Sequence, residues 1–509
     1  MSRLPRTAVL QLLVAGSLAA CAVGPDYHEP ELPAPASFAS ATPASPSKPE
    51  IDYTQWWRSL EDPHLDSLVG QAIKANPDVE IALTRLQQAR TEEAVLIAAA
   101  LPEVDAAAAA ANGSGRDSTR GRVPSVLTSG DNAHELQHIR QVAGFDTLWE
   151  LDLFGRYRRA IEAGIYDAEA AAEARNLVLI NVIADVVRAY LDLRGLQTSL
   201  AVLRQDVAAA EQSRDFLKIR FERGLTNELD LTLAEREVAT LHAQIAPLAA
   251  AIDAAQYTIA ALLGRYPEDM AEELANPAAI PALPERIQPG LPLDLIQRRP
   301  DIREAERQLA ADTARIGVAT ANLFPQVSVG ASIGVQSSRV ANGHYAHLWS
   351  LGPSAYWPIL DFGSLDALVD IADLQTHAQL IAYKQAILVA VRDVDTAVSA
   401  FSAQQDRVKN LEVALVASQR ALTLATERYN RGLTDYLNVV DAERQEYALE
   451  ASLVAAQQAA ADQFVAVFKS LGGGWERYQE IPPVRLPHPA LIAMFERLVN
   501  PPHGEGLKP

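Results

Sequence analysis

Cysteine is nearly absent from this sequence, because only Cys21 occurs among 509 residues. A single cysteine excludes an internal disulfide, a cysteine-rich zinc site and an iron–sulfur cluster built by this chain alone. Basic residues are also in the minority: the sequence has 44 lysines and arginines but 64 aspartates and glutamates, which gives a formal net charge of −20. Such an acidic chain repels a phosphate backbone, so we expect no nucleic-acid partner.

Long apolar runs are missing from the chain after its N-terminal segment. No stretch there contains ~18 uninterrupted apolar residues, the length that a transmembrane helix needs. This absence predicts that the mature chain has no conventional transmembrane helix. Enzyme signatures are missing as well: the ten histidines form no zinc-binding motif, no Gly-x-Ser-x-Gly elbow occurs, and Gly472-Gly-Gly474 is expected to end a helix. We therefore expect a protein without catalytic residues, metal ligands or a dissociable cofactor.

The first twenty residues have the composition of a signal peptide. Arg3 and Arg6 precede an apolar stretch, residues 8–20, that is too short to span a bilayer. Leu18-Ala-Ala-Cys21 looks like a bacterial lipobox, which predicts a covalent lipid such as palmitate on Cys21 and a removed signal. An ordinary secretory signal is the alternative. Ala22 replaces the aspartate that commonly retains lipoproteins in the inner membrane, so we expect delivery to the outer membrane.

An internal duplication is the most informative feature of the sequence. The segment Arg220–Arg236 aligns with Arg428–Arg444 at an offset of 208, with nine of seventeen positions identical. Upstream features match at an offset of 223, which places a 15-residue insertion in the first copy, around residues 112–122. Each copy is predicted to run helix, strand, loop, strand, very long helix, tight turn and long helix.

Two hairpins are predicted from residues that alternate with a period of two. Apolar residues alternate with small or polar ones over 327–336, over the return strand 349–359 and over 145–153. One such hairpin fits a half-buried soluble sheet equally well. Strands of about ten residues with tryptophans near their ends favour a sheet that crosses a bilayer.

The long helices are predicted from missing proline, which is absent from 156–246 and from 361–481. Residues 156–223 alone give 68 residues, roughly 100 Å of helix, which no compact domain contains. In each copy a glycine of the intervening turn suits the end of one helix, and a threonine suits the N-cap of the next: Gly224 and Thr226, Gly432 and Thr434.

These patterns divide the sequence into six segments. The predicted segments are a lipoprotein signal peptide, 1–20; a lipid anchor with an extended proline-rich strap, 21–60; a first repeat, 61–272, with a hairpin at about 103–153 and long helices at about 156–264; a proline-rich connector, 273–299; a second repeat, 300–475, with a hairpin at about 325–361 and long helices at about 364–472; and a C-terminal tail, 476–509.

Four strands per chain are too few to close a barrel around a lumen. If three chains contribute, twelve strands close one barrel, and the long helices continue it as a tunnel. The predicted fold is therefore an α+β membrane protein with an internal structural repeat. Its trimeric 12-stranded outer-membrane β-barrel, four strands per chain, continues into a long periplasmic α-helical barrel of coiled-coil type.

The chain resembles the outer-membrane factors of bacterial efflux pumps. The motifs that carry this resemblance are the lipobox with Cys21-Ala-Val-Gly-Pro-Asp-Tyr27, the two Arg-Gly-Leu-Thr turns, the Phe-Gly pairs ending at Gly155 and Gly363, and Leu471-Gly-Gly-Gly-Trp475. Within the TolC superfamily the chain is similar to the lipidated OprM-like (NodT) branch. The resemblance implies a homotrimeric, non-enzymatic duct, lipid-anchored in the outer membrane, that passively conducts drugs or other small molecules. It also implies two partners, a periplasmic adaptor and a proton-driven RND transporter of the inner membrane.

Two other functions share parts of this sequence pattern. A type I protein-secretion conduit would have the same architecture. A lipid-tethered coiled-coil scaffold would use the long helices without forming a pore.

The resemblance also implies roles for residues at the helical turns. Leu437 and Asp441 match the hydrophobic and acidic constriction rings of a periplasmic gate, and Asp230 matches an acidic position of the first turn. Tyr429 matches a tyrosine that fastens the closed tip. Solvated positions on a helix surface are the alternative for both aspartates. The residues of the two turns match adaptor contacts, with helix capping alone as the alternative: Arg223, Gly224, Leu225 and Thr226, and Arg431, Gly432, Leu433 and Thr434.

Overall fold

The computed structural model describes residues 22–30, 35, 37–39, 51–110, 139–270, 273–284, 287, 298–338 and 345–478. Cys21, the signal peptide, the predicted insertion at 112–122 and the C-terminal tail after 478 lie outside the described residues. The described residues form two halves with the same order of long elements.

The first half begins with a short 3-10 helix, Tyr53–Leu60, and the second half begins after the connector. The first half continues with α1 (Pro63–Ala75), α2 (Pro77–Ala99), β1 (Glu103–Ala110), β2 (Ile139–Leu151), α3 (Arg156–Glu222) and α4 (Glu228–Leu262). The second half contains α5 (Pro300–Ala321), β3 (Gln326–Ser338), β4 (Tyr345–Tyr356), α6 (Ser364–Asn430) and α7 (Leu437–Ser470).

The two longest helices are equivalent by position and length. α3 and α6 each contain 67 residues, which corresponds to about 100 Å. Each follows a glycine with a positive φ, 83° at Gly155 and 82° at Gly363, a conformation that an L side chain rarely adopts. The prediction of a single rod from residue 156 is confirmed, and the helix ends one residue earlier than expected.

Equivalent hydrogen bonds join each hairpin to the helix before it. The indole N–H of Trp149 donates to the carbonyl of Ala100 at 3.0 Å, and that of Trp357 donates to Leu323 at 3.0 Å. The two tryptophans are 208 positions apart, and the two residues whose carbonyls accept these bonds are 223 positions apart. These distances are the two offsets of the repeat. The 15 extra residues therefore lie within the first hairpin.

The four strands form one antiparallel sheet in the order β1-β2-β3-β4. Phe145 lies opposite Ile333, which lies opposite Trp349, so three large apolar side chains share one face. These side chains are 57%, 64% and 79% exposed. On the other face Asp146 lies opposite Ser332. The sheet thus has an exposed apolar face and a polar face, as the alternating sequence predicts.

The main core joins the N-terminal segment to the long helices. Trp56, buried in the first 3-10 helix, stacks on Phe468 of α7 with ring centroids 5.1 Å apart. Phe464 meets the same indole edge-on at 5.8 Å. From α3, the hydroxyl of Tyr190 donates to Asp62, which caps α1. This core packs the beginning of the described chain against the last long helix.

One helix bears on the prediction that the mature chain has no conventional transmembrane helix. α4 is long and apolar enough to cross a membrane by length and composition alone, and 11% of its most apolar part is buried within the chain. Its many alanines raise its mean hydropathy, but polar residues interrupt every apolar run, so the prediction stays a prediction. Small residues of this kind also allow close packing between helices.

Candidate functional site at the paired turns

In each half, one tight turn joins the two long helices. We call these two turns, one from each half, the paired turns. The first comprises residues 223–227 between α3 and α4, and the second comprises residues 431–436 between α6 and α7. Gly224 and Gly432 both have a φ of 71°. In each turn the leucine after the glycine donates its N–H to the carbonyl five residues earlier, at 2.8 Å in the first and 3.0 Å in the second. These bonds end both helices as the glycine positions predict.

The helices after the turns begin differently from the prediction. The side chain of Asn227, not of Thr226, accepts the N–H of Asp230 at 2.9 Å and caps α4. At the second turn the side chain of the N-cap residue, Tyr436, makes no capping hydrogen bond, and Thr434 accepts a hydrogen bond from the Asn438 amide at 2.7 Å. The prediction that the two threonines are N-caps is therefore wrong, because their hydroxyls bond to side chains of the following helix.

Tyr429 connects the two turns. It lies in the last turn of α6, is 8% exposed, and its hydroxyl lies 3.4 Å from the hydroxyl of Thr226. Thr226 donates its own proton to the carboxylate of Asp230 at 2.5 Å, so Tyr429 is the donor to Thr226. The guanidinium of Arg220 lies 5.2 Å from the Tyr429 ring centroid, a cation–π arrangement. The structure thus brings two predicted gate residues together through a threonine.

A small apolar core holds this connection in place. Tyr436 meets Tyr429 with ring centroids 5.4 Å apart and is 4% exposed. Burial, and then the nearby charge of Glu443, raise the pKa of Tyr436 above its ordinary value. Burial also raises the pKa of Glu443, although Ser213 donates a hydrogen bond to it at 2.9 Å. The buried members of this core are Leu217, Ala234, Tyr429, Tyr436, Val439 and Val440.

The other two predicted gate residues lie apart from Tyr429. Leu437 and Asp441 are both exposed and stand one turn apart on α7, with Leu437 54% exposed. Val440 and Glu443 of the same helix face inward, so Leu437 and Asp441 face away from the chain. Within one chain they contact neither Asp230 nor Tyr429 in any described bond, and their role as constriction rings stays a prediction.

The tip of the paired turns exposes apolar side chains. Leu225 is 62% exposed and Leu433 is 63% exposed, and Arg223 and Arg431 beside them are exposed as well. A Cβ added at Gly432 would meet nothing within 4 Å, so the space in front of the turn is open. Exposed apolar side chains bordered by charges are typical of surfaces that bind another protein. The predicted adaptor contact stays a prediction.

Three residues of this site, Arg220, Tyr436 and Glu443, were not predicted from the sequence. The repeat gives a sign of Arg220, because it matches Arg428 at the same place before the second turn. Tyr436 and Glu443 are seven positions apart, which places both on one helix face. That spacing was a usable sign of inward orientation.

Comparison with known proteins decides the family. A family model described as outer membrane efflux protein matches residues 68–265 and 291–473, one match in each half. This chain belongs to the outer membrane efflux protein family. Membership confirms the family, the efflux function and the outer-membrane location implied by the sequence resemblance.

Individual members of the outer membrane efflux protein family match nearly end to end. Nodulation protein T of Rhizobium leguminosarum bv. trifolii is 32% identical over 471 residues, covering 92% of this chain and 97% of that protein. Outer membrane protein OprJ of Pseudomonas aeruginosa is 31% identical over 481 residues, covering 93% and 97%. The solved outer-membrane channel OprN is 34% identical, with a TM-score of 0.79 over 89% of this chain and 100% of that one.

Proposed function

We propose that this chain is the outer-membrane channel subunit of a tripartite efflux pump, and that it conducts small molecules passively as a homotrimer. The observation that carries this proposal is a four-stranded sheet with an exposed apolar face, set on two helices of about 100 Å each. The sheet suits lipid on one face and a polar lumen on the other. The helices suit a duct that extends into the periplasm.

Closure by three copies follows from the edges of the sheet. Within the described residues β1 and β4 each pair on one side only. Unpaired backbone groups cannot remain in lipid, so the sheet must close on itself. Three chains of four strands give a 12-stranded barrel, wide enough for a lumen.

The gate belongs to the same proposal. Tyr429, Thr226 and Asp230 would hold the two turns of each chain together in the closed entrance. Leu437 and Asp441 face away from the chain and are available to line a shared axis. Three copies of Asp441 around that axis would favour cations and repel anions. The exposed tip would meet the periplasmic adaptor, which couples the duct to a proton-driven inner-membrane transporter.

The described part of the strap, residues 22–30, begins where the sheet meets the helices. The N–H of Val23 donates to the carbonyl of Phe154 at 3.1 Å, just after β2. A Cβ at Gly155 would lie 2.7 Å from the Ala22 Cα, so the strap runs directly over the start of α3. The proposal includes a covalent lipid on Cys21, directly before this strap, as an additional anchor in the outer membrane.

Single-channel recording in planar bilayers tests the channel. The purified trimer should conduct, and Asp441→Ala should raise its conductance or open time, whereas Asp215→Ala, an exposed acid of α3, should not. A trimer without conductance in both forms would favour the pore-free scaffold. Electron microscopy of the same sample should show threefold symmetry and a rod about 100 Å long below the barrel.

Cysteine cross-linking tests the closure of the sheet. With Cys21 replaced by serine, single cysteines can be introduced along β1 and along β4. A chain with one cysteine in β1 and one in β4, placed in register on the same face of the sheet, should give a covalent trimer on a denaturing gel. A chain whose two cysteines lie on opposite faces of the sheet should not. Monomeric products from every β1–β4 pair would contradict closure by neighbouring copies.

A further inference from the structure

A cavity of about 690 Å³ lies between α3, α4 and α7, away from the paired turns. Its apolar wall includes Leu203 of α3, Leu241 and Leu248 of α4 and Val454 of α7. Pro247, which cannot donate an intrahelical hydrogen bond, also lines it. A mostly apolar cavity of this size with a few polar groups is the usual form of a small-molecule site.

One acidic side chain in the cavity wall lacks a cation. Asp206 is 8% exposed and faces Glu450 across the boundary between α3 and α7. No ion pair with a basic residue forms at Asp206 among the described residues. Glu237, which is 5% exposed in the same cavity, is already paired with Arg444 at 2.7 Å. Of the two acids that line the cavity, Asp206 is therefore the one without a basic partner among the described residues.

The groups that face Asp206 make its ionised form costly. From α7 these are the acids Glu446 and Glu450, together with Tyr447 and Arg444; from α4 the group is Glu237. Burial raises the pKa of Asp206 to about 7, and a hydrogen bond with Glu450 and the charges of both α7 acids act in the same direction. A proton held between two acids can be replaced by another positive charge.

We propose that this cavity binds a lipophilic organic monocation, with Asp206 as the counter-charge and the leucines as the apolar wall. This site lies in the helical wall, apart from the gate, and its existence does not depend on the proposed channel function. A divalent metal fits poorly, because hard cations need six or more oxygen ligands and the wall is largely hydrocarbon. Among the described residues no group of acids and histidines has metal-binding geometry.

Binding of tetraphenylphosphonium to the full-length protein in lipid nanodiscs tests this site by calorimetry. A group with a pKa near 7 is about one-tenth ionised at pH 6 and about nine-tenths ionised at pH 8, so affinity should rise about ninefold over that range. Tetraphenylborate, an anion of the same size and shape, should not bind. Equal binding of the two ions would overturn the proposal, because it would indicate partition by apolarity alone.

Two variants and one control complete the test. Asp206→Asn imitates the protonated acid, keeps the fold, and should weaken tetraphenylphosphonium binding at pH 8 at least tenfold and remove its pH dependence. Leu248→Trp, which fills the cavity, should abolish binding at both pH values. Asp215→Asn changes an exposed acid of the same helix, paired with Arg214, and should leave affinity unchanged. Equal affinity in the Asp206 and Asp215 variants would also overturn the proposal.

Discussion

Tyr429 occupies the point where the two halves of the chain meet at the tip. Its ring is buried against Tyr436 and Arg220, and its hydroxyl reaches Thr226 of the other turn. The tyrosine therefore joins the two halves in two ways: its ring packs on Tyr436 of its own half and on Arg220 of the other, and its hydroxyl bonds to Thr226. Removing the hydroxyl group would separate the contribution of the hydrogen bond from that of the ring contacts.

Tyr429→Phe should loosen the closed tip without disturbing the core around it. A neutral hydrogen bond contributes about 0.5–1.5 kcal/mol, so the closed form should lose roughly two- to twelvefold in population per chain. Single-channel open probability measures this change. Tyr257→Phe, at an exposed position on α4, is the matched control and should leave the channel closed. An unchanged open probability in Tyr429→Phe would remove the tyrosine from the gate.

Gly24→Ala should release the N-terminal strap. Gly24 has a φ of 92°, and a Cβ there would lie 2.4 Å from the Gly317 Cα. The backbone conformation alone costs an L-residue about 1–2 kcal/mol, so protease cleavage within residues 22–30 should become roughly five- to thirtyfold faster. Gly70→Ala is the control, because a Cβ at Gly70 meets nothing within 4 Å. Equal cleavage of both variants would contradict the close packing of the strap.

Residue roles that depend on backbone conformation could be predicted from the sequence, whereas side-chain partners could not. Gly224 and Gly432 end their helices because a left-handed residue is needed there and glycine adopts it without strain. The prediction of Thr226 as a cap is wrong because Asn227 beside it is the more strongly preferred N-cap residue. Which of the two caps depends on Asp230, four residues after Thr226, which takes the threonine proton.

At the scale of the elements, missing proline and the repeat predicted most of the fold. The length of α3 was predicted to within one residue, because no proline occurs within it and the Arg-Gly-Leu-Thr turn follows it. The contact between Asp206 of α3 and Glu450 of α7 could not be predicted, because the two residues are far apart in sequence and share no motif. Contacts of this kind depend on how the two helix pairs pack, which the repeat does not specify.

Gly432→Trp should abolish drug resistance while leaving a folded trimer. The added side chain would project from the second turn into open space, where the adaptor is proposed to bind. Growth of a strain that relies on this pump, on plates with the pump's drugs, measures the loss. Gly432→Asn is the control, because asparagine tolerates the left-handed conformation and should keep resistance. Loss of the trimer in the tryptophan variant would refute the contact interpretation.

The acids between α3 and α7 should make stability depend on pH. The pKa of Asp206 is raised from 3.8 to about 7, so between those values the folded chain holds a proton that the unfolded chain has lost. Stability should therefore be greatest at low pH within this window and fall as pH rises to about 7. From pH 5 to pH 8 the loss should be on the order of 2 kcal/mol.

Thermal unfolding of the wild type and of Asp206→Asn at the two pH values measures this effect. The asparagine variant should show the smaller change, because it has no proton to lose at that position. Asp462 of α7, whose pKa burial and Asp192 raise to about 6, should retain part of the dependence. An identical pH profile in both proteins would contradict the role of Asp206.

At the scale of the whole molecule, the proposed barrel would be a property of the assembly and not of one chain. Four strands and two long helix pairs leave an open sheet and an apolar, largely exposed α4 in the single chain. Neighbouring copies would cover both surfaces. The predicted number of copies depends only on the strand count per chain and on the size of a barrel with a lumen, and it stays a prediction.

Cys21→Ser should remove the lipid and leave the channel in the membrane. The proposed barrel would insert by its own apolar face, so the proposed lipid would be an additional anchor rather than the means of spanning. Metabolic labelling with a radioactive fatty acid should lose its signal, while the outer-membrane fraction should keep most of the trimer. Persistent labelling of the serine variant would contradict Cys21 as the modified residue.

The packing of the strap also sets an order of events in maturation. Ala22 lies against Gly155 of the first half, Gly24 lies against Gly317 of the second, and Arg159 donates hydrogen bonds to Val23 and Gly24 between them. A peptidase that cuts before Cys21 needs several extended residues on both sides of the bond, and the docked strap would withhold them. Processing of the proposed lipoprotein precursor must therefore precede the final docking of its own N-terminus.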